Sequence, residues 1–195
     1  MIKGGSSHVD DLAVIITLAD YDALPEEDCR RHELVDGVLV EMPPRYPVHQ
    51  RAVRLLADQL EDQLPVELDV VHAFDVLLKD SARPLMRKPD VVVASSKLFD
   101  AGVTRFDAAD VALVVEVLSE ESEDVDLRVK PREYAAAGIP DYWVVALDEP
   151  VSMVAHSLVD GRYELAGGGS RVLDVRSPAP MTVDLAALVR RRLME

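Results

Sequence analysis

Residues 111–119, VALVVEVLS, form a strand-length apolar run with one carboxylate, Glu116, in its middle. A run this apolar reads as a strand covered on both faces. An ionised carboxylate there costs several kcal/mol unless it is paired or bound to a metal. Glu116 therefore needs a partner. Asp90 follows a proline and opens a second apolar strand, PDVVVAS, and Lys130 lies downstream in DLRVKPREY. Two acids on neighbouring strands plus a lysine are the groups that metal-dependent phosphodiester hydrolysis requires: hard oxygen ligands and a cation for phosphate charge. A metal-free ion pair between Glu116 and Lys130 is the plainer reading.

The rest of the chain reads as one α/β unit, with residues 1–16 as a tail and 17–195 as a single domain. Thr17 and Asp20 make a short capping box for a helix that stops near Pro25. HELVDGVLVEMPP is a hairpin turning at Asp36-Gly37. From His49 to Leu64 apolar residues recur at helical spacing, and Pro65 closes that helix. VELDVV and FDVLLKD are strands, SARPLMRK is a loop, and 97–109 is irregular. The acidic segment after Glu116 leads into a helix ending at Ala137-Gly138. Because Pro131 disrupts a helix interior, the regular helix is expected to begin near it, with an irregular turn holding Lys130. A continuous helix would put Asp126, Lys130 and Tyr134 on one face. DYWVVAL and VSMVAHSL are strands, 162–173 a hairpin around GGGS, and Asp184 caps a terminal helix, LAALVRRRL.

Composition narrows the function. With one cysteine, Cys29, neither an intramolecular disulfide nor a cysteine zinc cluster is available. No apolar run reaches the roughly 18 residues of a membrane span. MIKGGSSHVDD has no apolar core segment, so a cytoplasmic location is expected. The net charge of −15 is the wrong sign for gripping long duplex DNA through its phosphates. Six acids fall between Glu116 and Asp126 alone. The histidines show no HExxH pattern, GGGS lacks a following GK[ST], and no GxSxG occurs.

The order HELVDGVLVEMPP, a helix bearing His49, PDVVV, then LVVEVLSEESEDVDLRVKPREYAAAGIPDYWVV resembles the Uma-two family. These restriction-endonuclease-like proteins, long catalogued as a domain of unknown function, are grouped with the PD-(D/E)XK nucleases. The resemblance covers roughly 17–190. It implies an α/β (α+β) restriction-endonuclease-like core, a mixed and mostly antiparallel sheet flanked by helices. It also implies Mg²⁺ or Mn²⁺ held by Asp90 and Glu116, DNA as substrate, and a homodimer. The superfamily lysine normally stands two residues after the acid, where this chain has Leu118; the family pattern moves it to the next helix, at Lys130. Glu41 matches a family glutamate and is a further candidate acid near the metal. Two functions follow: a metal-dependent nuclease, or an idle module of the same fold serving in binding or assembly.

Overall fold

The computed structural model describes residues 14–189. The expected tail lies largely outside them, as does the end of the expected terminal helix. Thr17 caps α1 (Leu18–Asp22), its hydroxyl accepting from the Asp20 amide while Asp20 accepts from the Thr17 amide. Sequence reading stops the helical region at Pro25. The proline instead starts α2 (Glu26–Arg31), with acids in its first turn and arginines in its last. Next come β1 (His32–Val35) and β2 (Val38–Glu41). Asp36 and Gly37 both take positive φ, the type I′ geometry that closes a two-residue hairpin. The long helix α3 (Pro47–Glu61) buries Ala52, Val53, Leu56 and Leu60 on one stripe.

Strands β3 (Leu68–His72) and β4 (Val76–Lys79) follow as expected. SARPLMRK is not only loop: its end is β5 (Leu85–Arg87), every residue buried. After β6 (Val91–Ser95), the segment read as irregular holds α4 (Ser96–Asp100) and the two-residue β7 (Phe106–Asp107). Then come β8 (Val111–Val117), a π turn over Val125–Val129, and α5 (Lys130–Ala136). Beyond β9 (Asp141–Ala146), β10 (Ser152–Val159) pairs with β11 (Arg162–Ser170). The hairpin turn here is Asp160-Gly161, again with two positive φ values, and not GGGS. Gly167, Gly168 and Gly169 stay extended and pair with Ala155, Val154 and Met153. A Cβ on Gly168 would lie 3.3 Å from the Met153 carbonyl, so the strands meet where a side chain would crowd them. A small hairpin, β12 (Val172–Val175) and β13 (Met181–Asp184), was not foreseen. Asp184 accepts from the Ala187 amide, capping one 3₁₀ turn over Leu185–Leu188 where a longer helix was expected.

Among the described residues the strands form three sheets. The largest runs β11-β10-β9-β8-β6-β3, antiparallel except for the parallel β8–β9 pair that α5 connects. The second runs β2-β1-β5-β4-β7, and β12–β13 form the third. Alternation along β6 and β8 splits the core. Val91, Val93, Leu113, Val115 and Val117 pack toward α3. Val92, Ala94 and Val114 pack on the opposite face, with Tyr134 of α5 and Tyr142 of β9. No described helix is long and apolar enough to cross a membrane.

Candidate active site

The β6–β8 ladder pairs Val91 with Val115 in antiparallel register. Asp90 lies one residue before Val91 and Glu116 one after Val115, so continuing the register makes them cross-strand neighbours on one face. Both are buried, and both line a cavity of about 380 Å³ between the two larger sheets. Asp90 does more than approach its neighbour. Its Oδ2 accepts the Val117 amide at 2.9 Å, so the carboxylate is tied to the backbone of the strand that carries Glu116. His49 Nε2 stands 3.1 Å from that oxygen and 2.9 Å from the Val117 carbonyl. Both are acceptors, so Nε2 carries the proton. Arg45 reaches Asp90 Oδ1 at 3.4 Å.

Lys130 meets Glu116 from α5, with Nζ 2.9 Å from Oε1, and it is 2.7 Å from Asp126 Oδ1. The Tyr134 hydroxyl donates to the same Glu116 oxygen at 2.7 Å. The π turn just before α5 carries Asp126, and Tyr142 pins it by donating to the Asp126 carbonyl. Asp126, Lys130 and Tyr134 thus face one buried point, although the helix between them is not regular.

Glu41 is not brought into this cluster. It lies on the cavity rim, exposed and paired with Arg31 at 2.8 Å. The buried acid of that hairpin is Glu33, which sequence reading missed. Glu33 pairs with Val40 and His32 with Glu41 across β1–β2, so alternation sends the two glutamates to opposite faces. Glu33 accepts from Arg87 at 2.7 Å and from the Lys88 amide at 3.0 Å, and it stands 3.9 Å from Lys130. Arg87 also grips Glu133 of α5 through two bonds of 2.7 and 2.8 Å.

The electrostatics follow from this packing. Burial, reinforced by Asp126 and Asp90, pushes Glu116 up to about 8 even with Lys130 against it. Burial would also raise Asp90, but His49, Arg45 and the Val117 amide outweigh it and hold the carboxyl below its usual range. His49 is correspondingly raised, its burial opposed by Asp90. Lys130 is buried too, yet Glu116, Glu33 and Asp126 hold it firmly protonated.

The family model "Uma2: Putative restriction endonuclease" matches residues 18–187. The chain belongs to the Uma2 family. A crystal structure of "a putative nuclease belonging to DUF820" from Anabaena variabilis ATCC 29413 is similar over 89% of this chain and 97% of that one. The TM-score is 0.68 at 16% sequence identity, a likeness that establishes the fold. The expected class, a restriction-endonuclease-like core with a mostly antiparallel sheet flanked by helices, is the one observed. No curated protein matches the chain.

Asp90 and Glu116 are the residues of the Uma2 site that could hold a cation. Among the described residues no three His, Cys, Asp or Glu side chains are placed to hold a metal ion together. Two carboxylates side by side fit an ion such as Mg²⁺ that keeps much of its shell as water. Burial chiefly raises Glu116, and a bound cation would favour its carboxylate and draw the value back down.

Proposed function

We propose that this Uma2 chain is a Mg²⁺- or Mn²⁺-dependent nuclease that hydrolyses phosphodiester bonds in DNA. The reading rests on one observation: Asp90 and Glu116 line one face of one cavity, with the Lys130 ammonium against Glu116. Asp90 and Glu116 would hold the cation. When bound, it supplies Lewis-acid polarisation of the scissile phosphate. The chain's own groups do the rest. His49 and the Val117 amide fix Asp90, and Tyr134 orients Glu116. Lys130 offsets negative charge developing on the phosphate. Glu41 stands at the entrance, where a passing strand would meet it first. A two-fold homodimer would join this proposal only if the substrate were a duplex with both strands to cut.

A second reading draws on the same contact. Lys130 already satisfies Glu116, as it would in an idle nuclease-fold module serving in binding or assembly. Calorimetry with Mg²⁺ and Mn²⁺ separates the two. The nuclease reading expects metal heats in the wild type that vanish in Glu116→Ala. It also expects metal-dependent cleavage lost in Asp90→Ala and Glu116→Ala, and slowed about a hundredfold in Lys130→Ala. No metal binding and no cleavage leaves the idle module. Cleavage that needs no metal, or survives both acid substitutions, overturns the mechanism.

A further inference from the structure

The cavity has two banks of opposite charge. On one side a groove of about 1080 Å³ adjoins it, lined by Arg30, Arg31, Arg45, His72 and Lys88. Glu41 also lines the groove, so in this chain of net charge −15 the groove holds five basic side chains against one acid. Arg30 and Arg31 are well exposed, at 75% and 59%, and their partners Glu26 and Glu41 are exposed acids. Such pairs hold weakly and exchange readily for phosphate. Lys88 is already bound to Asp75 and Arg45 is held at Asp90, so the available charge is that of Arg30 and Arg31. On the other side the cavity is lined by Glu121, with the exposed acids Glu120, Glu123 and Asp124 next to it in the chain.

Between the banks stands a ledge of Met42, Pro43, Pro44 and Arg45, which lines the groove and the cavity alike. Tyr46, half-exposed at 52%, follows it on the cavity side, where its hydroxyl donates to Glu121 of the acidic lip at 3.2 Å. A charged track beside an exposed aromatic ring is how proteins hold a single polynucleotide strand: phosphates on the cations, bases on the ring. A duplex carries a second row of phosphates, and this would fall on the acidic lip. Resting on the nuclease reading of the adjoining cavity, we propose that the groove is the track for single-stranded DNA. Arg30 and Arg31 bind its backbone, Tyr46 stacks a base, and the acidic lip excludes duplex.

Fluorescence anisotropy with a labelled oligothymidylate of about 15 nucleotides and a duplex of the same length tests this, with Ca²⁺ in place of Mg²⁺. The single strand should bind at least about tenfold more tightly than the duplex. Replacing both Arg30 and Arg31 by Ala should weaken the single strand about tenfold and flatten its log–log salt dependence by about 1.4. α2 buries no residue, so this variant should remain folded. Tyr46→Ala should also lose about tenfold. Glu41→Gln, which frees Arg31, should bind more tightly. If the arginine variant binds like the wild type, or the duplex binds as tightly as the single strand, the track is wrong. The outcome is independent of catalysis. Arginine-dependent strand binding by a protein that cleaves nothing supports the track and defeats the nuclease reading. Cleavage with no role for the arginines does the reverse.

Discussion

The floor and the rim of the cavity use the same residue types and reach opposite results. On the floor Arg87 and Glu33 pair at 2.7 Å with side chains only 5% and 8% exposed. On the rim Arg31 and Glu41 pair at 2.8 Å with 59% and 64% exposed. The distances are alike; the surroundings are not. In a dry setting an ion left without its partner cannot turn to water, so the floor pairs constrain one another. On the rim water and salt take up the same role, and the pairs are free to exchange. Rigid charge beneath and mobile charge above is the arrangement expected of a site that fixes its reacting groups and admits a ligand.

Arg87→Ala should break this contrast most severely. It takes the closest cation from Glu33 and both bonds from Glu133, and the expected loss is about 3–5 kcal/mol in urea unfolding. A loss as small as that of a rim variant would mean that water reaches the floor. The next test is pH. Glu116 moves from its ordinary 4.5 up to about 8 in the folded protein. Between those values the native state keeps a proton that the unfolded chain has released. Its contribution to stability is therefore full below about 4.5 and is lost as pH rises through about 8. The wild-type melting temperature should fall over that window, and Glu116→Gln should fall less. Parallel curves for the two proteins would refute the burial argument. The smallest effect belongs to the rim: Glu41→Gln should change stability by no more than about 0.5 kcal/mol. A larger change would show that Glu41 is built into the fold.

The floor was partly readable in the chain, for reasons its residues show. Glu116 is conspicuous because it interrupts an apolar run, and Asp90 because it precedes one. Lys130 follows from Glu116, since a covered acid asks for a cation. Glu33 carries no such signal. In HELVDGV it alternates as a solvent-facing strand residue would. What buries it is β5, a three-residue strand beside β1 through the Leu34–Met86 pair. Next to prolines and basic residues, that strand looks like loop. Its arginine also removes the penalty that would otherwise make a buried glutamate improbable. Glu41, of the same hairpin, enters only through the family resemblance, and alternation and the nearby Arg31 keep it on the rim. GGGS misled in the other direction: glycine clusters suggest turns, whereas here they let two strands lie close.

The parallel β8–β9 pair, with α5 between its strands, has a consequence for the order of assembly. Tyr134 reaches Glu116 across 18 positions of chain, whereas Arg87 reaches Glu33 across 54. Closing the longer loop costs about 1 kcal/mol more, because the entropy grows only with the logarithm of length. The acid, its lysine and its phenol can therefore come together as one local piece, before the hairpin that carries Glu33 has docked.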